Sequence, residues 1–237
     1  MAVDQTDLGT IVVTGGSSGL GAAVVAAVAG VAAAGGLPVN LDRRPPDGDA
    51  PGEFEQVDLA DSKEAEEVVR QVAEHHDDLR GVVTCAGTDV PGALTDVPTE
   101  VWERTIAVNL LGTAAVVRAA LPAIERNAGR VVTVASTLGF RAFGDATAYC
   151  ASKHGVVGFT RALQVELKGR VGVTMLTPGG MATNFFNERD EQYKPGPDAK
   201  LADPAHVASA VLFALSTPPD VQLYELVVAG PTETSWP

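Results

Sequence analysis

Residues Thr14–Gly21 read TGGSSGLG, placed between the apolar run Ile11–Thr14 (IVVT) and an Ala/Val-rich helical pattern from Gly19 to about Ala34. Strand, glycine turn, helix is the order that a dinucleotide-binding unit requires. Gly15 can take the tight turn, Gly19 leaves room for backbone to approach a pyrophosphate, and Gly21 allows close helix–strand packing. Ser17, Ser18 and Leu20 complete the loop, and the free N–H groups of the helix start offer an anion site. A glycine cluster alone is a weak signal, since turns are glycine-rich; its place after the first strand gives it force.

Outward from this loop the periodicity alternates between strand and helix. Pro38–Asp42 (PVNLD) and Phe54–Asp58 (FEQVD) read as the next strands. Asp61 then opens DSKE, with Glu64 placed for a capping box, and a charged helix runs to roughly Glu74. Gly81–Cys85 is the fourth strand, followed by one long helical pattern from about Thr99 to Arg126. Arg130–Ser136 is the fifth, a near-continuous apolar run as in a sheet covered on both faces. A helix from near Ala146 to Leu167, a strand at Val171–Thr177, a helix opened by Asp203-Pro204 and ending near Leu215, and a strand at Gln222–Ala229 complete the series. This alternation predicts an α/β fold: a single-domain, Rossmann-type, doubly wound parallel sheet of about seven strands with helices on both faces. No linker divides residues 1–237. The irregular stretch 181–202 is too long for an idle connection and reads as a lid.

Composition narrows the function classes. The formal net charge is −13 over 237 residues. Such a surface repels phosphate backbones and anionic lipid, so neither nucleic acid nor membrane is an expected partner. Leu8–Leu41 contains no charged residue, but it is Ala/Gly-rich and interrupted by glycine pairs, as in a buried strand–turn–helix unit. Two cysteines, Cys85 and Cys150, make no disulfide framework, and a reducing cytoplasm is the simplest location. The four histidines show no metal-ligand spacing, and no metal is expected.

The stretch Leu41–Pro46 (LDRRPP) bears on the cofactor. Asp42 falls at the end of the second strand, about 20 residues beyond the glycines, where a carboxylate can accept the ribose hydroxyls. The bland alternative is a turn-capping aspartate. Arg43 follows and could line the adenine or swing toward a phosphate. Asp58, ending the third strand, could accept from the adenine amino group.

AYCASKHG places Tyr149 and Lys153 four apart, hence on one helix face. A tyrosine ordinarily titrates near ~10, and an ammonium one turn away favours the phenolate. Such a pair alone could be chance. Ser136, however, ends the fifth strand, where ligand sites of parallel sheets lie, and Asn109 sits within the long helix. Asn109, Ser136, Tyr149 and Lys153 behind TGGSSGLG are hard to attribute to chance.

With these residues the chain resembles the short-chain dehydrogenase/reductase family, of the single-domain type with TGxxxGxG and YxxxK. The resemblance spans nearly everything from Thr10 to Ala229. It implies a cofactor loop at Thr14–Gly21, an adenine-binding Asp58 with Leu59 beside it, and a catalytic tetrad of Asn109, Ser136, Tyr149 and Lys153. Cys85-Ala86-Gly87 occupies the place of the family's NAG motif, with Cys85 replacing the strand-linking asparagine. Pro178, Gly179, Met181 and Thr183 fall on the PGxxxT segment that meets the nicotinamide amide. The implied reaction is hydride transfer between nicotinamide C4 and a carbonyl or secondary alcohol carbon. Tyr149 is then the proton donor or acceptor, Lys153 lowers its pKa and holds the ribose, Ser136 fixes the substrate oxygen, and Asn109 keeps a relay water.

NAD(H) is the favoured cofactor, because Asp42 opposes a ribose phosphate and Gly16, Ser17 and Ser18 supply no cation; NADP(H) stays possible through Arg43. Leu138, Phe140, Phe143, Phe185, Phe186 and Tyr193 suggest a largely apolar pocket for a small, neutral alcohol or ketone. The alternatives are an NADPH-dependent 3-oxoacyl thioester reductase and a non-catalytic dinucleotide-sensing regulator. The resemblance further implies a homo-oligomer, tetramer or dimer, and Trp236 is expected to pack against the body or a neighbouring subunit.

Overall fold

Thr10–Thr14 (β1) is buried at all five positions, and its side chains alternate between two cores. Val12 joins Val39, Val82 and Val131 on one face, while Ile11 and Val13 join Val83, Val132 and Leu176 on the other. A strand sandwiched this way must be apolar at every position, which is why IVVT shows no polar alternation. The structure is a computed structural model that describes residues 8–236. The outermost limits of the expected domain, residues 1–7 and 237, lie outside them.

The remaining elements are α1 (Gly19–Ala29), β2 (Leu37–Asp42), β3 (Glu53–Gln56), α2 (Ser62–His75), β4 (Leu79–Thr84), α3 (Thr99–Ile106), α4 (Thr113–Arg126), β5 (Arg130–Val134), α5 (Thr147–Glu166), β6 (Gly172–Pro178), α6 (Pro204–Leu215) and β7 (Glu225–Val228). All seven strands are parallel, in the order β3-β2-β1-β4-β5-β6-β7. The order reverses between β1 and β4, and this switch point opens a crevice at the carboxyl ends of the strands. α1 and α6 cover one face; α2, α4 and α5 cover the other. The seven-stranded Rossmann-type sheet expected from the alternation is thus what the chain forms.

Local signals behave as their chemistry dictates. Asp61 caps α2, accepting from the Lys63 and Glu64 N–H groups at 3.0 and 3.1 Å. Asp203 caps α6 through the Ala205 N–H at 2.8 Å, with Pro204 opening the first turn. The charge-free stretch Leu8–Leu41 is the buried β1–α1–β2 unit.

Two helices differ from expectation. α1 ends at Ala29 rather than near Ala34: Gly30 caps it, a single 3-10 turn spans Ala32–Ala34, and Gly35 turns left-handed at φ 75°. Glycine is a poor helix former and readily left-handed, so the Ala run cannot carry the helix through. The long pattern Thr99–Arg126 is likewise interrupted by a π-helical turn at Ala107–Gly112. This span is long and apolar enough to cross a membrane, yet Val116, Val117, Ala120 and Ile124 are buried in the core. Its π turn carries Asn109, and such turns gather at functional sites.

Candidate active site

The crevice holds a cleft of about 1280 Å³, lined from the glycine loop at one end to the 181–202 segment at the other. Gly15 has φ 68°, and an added Cβ would stand 2.8 Å from Ala86 Cα, so only glycine fits that turn. Ser18 makes no side-chain cap on α1, which leaves the first N–H groups of the helix open toward the cleft beside Gly19 and Leu20. The nearest atoms to an added Cβ on Gly19 belong to Thr183, 3.5 Å away. An uncapped helix start between glycine backbone and open space fits a pyrophosphate. Among the described residues no cluster of three His, Cys, Asp or Glu side chains could hold a metal ion.

Asp42 lines the cleft at the end of β2 and grips the loop itself. Its Oδ2 accepts from the Ser17 N–H at 3.2 Å and its Oδ1 from the Arg44 N–H at 3.3 Å. Asn40, buried two residues earlier, donates to Ser17 Oγ at 3.0 Å, and Ser17 Oγ donates to the Arg44 carbonyl at 2.7 Å. A carboxylate has about four acceptor sites, so two remain for ribose hydroxyls. Arg43 lines the same end. Asp58 takes Arg104 Nη2 on both oxygens, at 3.0 and 2.8 Å, and the Ala60 N–H at 3.0 Å. Burial pushes its pKa up, but the Ala60 and Arg104 bonds outweigh that and hold the carboxyl below its ordinary value. Arg104 was not legible beforehand, since a lone arginine on a helix reads as a solvated charge.

Ser136, Tyr149 and Lys153 meet at the middle of the cleft. α5 sets Tyr149 and Lys153 on one face, with Lys153 Nζ 5.8 Å from the Tyr149 ring centroid. Ser136, two residues past the end of β5, stands beside the Tyr149 phenol in the cleft and favours its ionisation. Lys153 is buried and donates to the Val134 carbonyl at 2.8 Å. Burial pushes the phenol up to about 12; the neighbouring Ser136 hydroxyl and the Arg189 charge pull it down, and Asp89 pushes it up. The lysine falls to about 8, again through burial. Desolvation, not the lysine charge, therefore dominates this tyrosine.

Asn109 stands apart from the cleft lining. Buried in the π turn, it donates to the Thr88 carbonyl at 2.9 Å and to Ser152 Oγ at 3.0 Å, while its Oδ1 accepts from the Thr88 N–H at 2.8 Å. Those bonds fix the backbone just past Gly87, where an added Cβ would lie 3.8 Å from Lys153 Nζ. Cys85 packs into the apolar cluster, and burial pushes its thiol up to about 12 against the Lys153 charge. The link between strands at this point is made instead by Thr14 Oγ1, which accepts from the Ala86 N–H at 3.1 Å.

Pro178, Gly179, Met181 and Thr183 border the cleft beyond β6, and Leu59 lines its adenine end. Leu138, Phe143, Phe185 and Phe186 line the far end, with Phe185 5.8 Å from the Tyr149 ring. Phe140 does not: it packs in a separate small cluster, edge-on to Trp236 at 5.3 Å. The far end is also less apolar than the sequence suggested. Arg189 bonds Asp89 at 2.8 Å, with side chains only 13% and 5% exposed. Asp89 sits in a loop without periodicity and Arg189 among alternating charges, so neither announced a buried pair. The C-terminal tail, beyond the expected packing of Trp236, supplies Thr232, Glu233, Thr234 and Ser235 to the cleft.

Comparison with known proteins identifies the family. The model of the short chain dehydrogenase family matches residues 9–194. An uncharacterised oxidoreductase of Staphylococcus saprophyticus is 32% identical over 231 residues, covering 92% of this chain and 95% of that protein. A Staphylococcus aureus counterpart is 33% identical over 174 residues, 73% of each chain. Among solved structures, an alcohol dehydrogenase from the archaeon Thermococcus sibiricus, complexed with 5-hydroxy-NADP, superposes with a TM-score of 0.79 at 24% identity, covering 93% of this chain and 95% of that one. The ligand-free aldohexose dehydrogenase of Thermoplasma acidophilum gives 0.83 at 22% identity, over 97% and 99%. At that identity the two structures speak to the fold alone. The chain belongs to the short-chain dehydrogenase family, and is an oxidoreductase of the kind that binds a nicotinamide dinucleotide.

Proposed function

We propose that the protein interconverts a secondary alcohol and a ketone, with NAD(H) as cofactor and Tyr149 as the acid/base. The observation that carries this reading is Tyr149 and Lys153 on one helix face, with Ser136 beside the phenol, inside the cleft that the glycine loop opens into. When bound, the nicotinamide exchanges a hydride at its C4 with the substrate carbon. The chain's own residues do the rest. Gly15, Ser17, Ser18, Gly19 and Leu20 would hold the pyrophosphate, Asp42 the ribose and Arg43, Asp58 and Leu59 the adenosine end. The Cys85-Ala86-Gly87 backbone, Lys153, Pro178, Gly179, Met181 and Thr183 would seat the nicotinamide half.

In reduction Tyr149 donates its proton to the nascent alkoxide; in oxidation it takes the proton back. Its high pKa suits the first role, since the phenol is fully protonated at neutral pH. Ser136, beside the phenol, would donate its hydroxyl to the substrate oxygen and so align it against Tyr149. Lys153 stabilises the phenolate left behind, and Asn109 acts one layer further out, on the Thr88 backbone.

NAD(H) is favoured over NADP(H) because the Asp42 carboxylate, held to the loop through both oxygens, would repel a phosphate on the ribose it is proposed to bind. We also propose a homo-oligomer, dimer or tetramer: Leu111 and Val165, on the helical segments expected at an interface, are 52% and 78% exposed. Two free cysteines accord with a cytoplasmic enzyme. The test is a screen of secondary alcohols and ketones against both cofactors, with Tyr149→Phe beside the wild type. Turnover that survives Tyr149→Phe sinks the assignment. Loss of about 10²–10⁴-fold with cofactor affinity kept supports it.

A further inference from the structure

The substrate end of the cleft contains a charged pair that the hydride chemistry does not use. Asp89 and Arg189 both line it. Arg189 Nη2 donates to Asp89 Oδ2 at 2.8 Å, and the guanidinium lies 4.8 Å from the ring centroids of both Phe185 and Phe186. Phe185 is in turn 5.8 Å from the Tyr149 ring, and both charges act on the Tyr149 phenol. On the other side, Asp89 follows the segment that Asn109 fixes beside Lys153. The pair therefore brackets the reacting end of the pocket rather than its mouth.

Its hydrogen bonding is incomplete on both sides. Among the described residues Asp89 Oδ1 has no partner, and Arg189 Nε is buried with no acceptor. A fork with five N–H donors engaged through one nitrogen, and shut from water at another, costs about 1–3 kcal/mol until an acceptor arrives. A nearly buried ion pair is also a costly way to close an apolar pocket. Two phenylalanines already supply the apolar wall, so the pair points to a polar group on the ligand.

The chemistry of that group follows from charge. A carboxylate satisfies Arg189 but faces the Asp89 charge at contact distance. An ammonium meets the opposite conflict, and an alkyl group satisfies neither. A hydroxyl both donates and accepts, so of these groups it alone answers an unpartnered carboxylate oxygen and an unpartnered guanidinium donor at once. We propose that this enzyme's substrate is a neutral hydroxy ketone, or the corresponding diol, whose hydroxyl lies next to the reacting carbon and is held between Asp89 and Arg189. The guanidinium turns slightly against the two rings to bring a free N–H to the hydroxyl oxygen, while Asp89 Oδ1 takes its proton. This rests on the hydride-transfer reading and narrows its substrate class.

The experiment uses the full-length protein with NADH and NADPH in parallel. Cyclohexanone is compared with hydroxycyclohexanone, and butanone with acetoin and pyruvate. The expected result is a kcat/KM about tenfold or more higher for each hydroxy ketone than for its parent, because the parent offers no partner to Asp89 Oδ1 or to the guanidinium. In Asp89→Asn and Arg189→Gln that ratio collapses toward one. A wild-type ratio at or below one, a preference for pyruvate, or a ratio untouched by both substitutions overturns the proposal and leaves the pair as a lid latch only. Failure of every ketone and alcohol with both cofactors would instead strike the hydride-transfer reading. A binding arm separates the two. Cyclohexane diol should raise the Tm of the cofactor complex above cyclohexanol, and Asp89→Asn should remove that difference. No diol-specific shift in the wild type also overturns the proposal.

Discussion

Glu233 Oε2 accepts the Gly180 N–H at 2.8 Å, so a residue four from the C-terminus holds the loop that follows β6. The other oxygen takes the Ser235 N–H and hydroxyl at 3.0 and 2.7 Å, and Ser235 Oγ also meets Thr137 Oγ1 at 2.7 Å. Thr137 adjoins Ser136. The tail thus joins the segment expected to seat the nicotinamide to the segment that carries Ser136, the serine proposed to fix the substrate oxygen. Burial pushes the Glu233 carboxyl up, but its bonds from Ser235 and Gly180 outweigh that and keep it ionised.

Glu233→Ala should therefore lower the melting temperature and raise the KM for cofactor together, at a cost of about 1–3 kcal/mol for the stranded N–H groups. Glu233→Gln keeps an acceptor and should recover much of the cofactor KM. Removal of residues 232–237 should do at least as much damage as the alanine, since Trp236 leaves Phe140 with it. Thermal melts and cofactor titrations on the three variants check this. Unchanged values in the truncation go against any role for the tail.

A second expectation concerns pH. Lys153 is held at about 8 and Tyr149 at about 12. Below about 8 the lysine is charged in the folded enzyme and can stabilise the phenolate formed when Tyr149 gives up its proton. Above that it loses its proton while the phenol keeps its own. Ketone reduction should thus be level toward acid and fall as pH rises past about 8, rather than near 10 where free tyrosine titrates. Lys153→Met should be slow throughout and show no break. Profiles of kcat/KM for wild type and variant decide it, and a wild-type profile flat to pH 10 counts against the assignment.

A third turns on packing. An added Cβ on Gly21 would lie 2.0 Å from the Gly15 carbonyl oxygen, against backbone that cannot yield. Gly21→Ala must push α1 off the glycine turn. Both stability and cofactor binding should suffer, with a loss on the order of 1–3 kcal/mol in a denaturant melt. A variant as stable as wild type with normal cofactor affinity would show that the turn tolerates the shift.

The sequence and the structure part company in physically instructive places. The strand–helix alternation, the glycine turn and the shared face of Tyr149 and Lys153 were legible because each rests on local periodicity or fixed spacing: IVVT must be buried on both faces, and Tyr149 and Lys153 must share one side of α5. Asn109 was expected inside one continuous helix, keeping a relay water. Its π turn was invisible because the bonds to Thr88 and Ser152 come from segments 21 and 43 residues away. Arg104 on Asp58, Arg189 on Asp89 and Glu233 on Gly180 are separated by 46, 100 and 53 residues. Pairs at such separations carry no periodic signal. Nearness to Ser136 suggests a pocket position for Phe140, yet the 3-10 turn Thr137–Gly139 carries it away from the cleft toward Trp236.

The last prediction concerns cofactor choice, where Asp42 has two functions that substitution can separate. Its charge opposes a ribose phosphate, and its oxygens hold the Ser17 and Arg44 N–H groups. Asp42→Ala removes both, so affinity for either cofactor should fall as the loop loosens. Asp42→Asn removes the charge but keeps one acceptor oxygen, so the loop should hold better while repulsion vanishes. In both variants Arg43 and Arg44 remain at the rim of the cleft, free to attract a phosphate. At contact distance near a protein surface, one charge pair is worth about 4 kcal/mol, so even partial screening leaves an effect of about tenfold or more. The ratio of NADPH to NADH dissociation constants should therefore drop by at least that factor in Asp42→Asn, with a smaller loss of NADH affinity than in Asp42→Ala. Fluorescence titration of both cofactors measures it. A wild type that binds NADPH tenfold more tightly than NADH, or a ratio indifferent to the asparagine, would assign cofactor choice to the arginines instead.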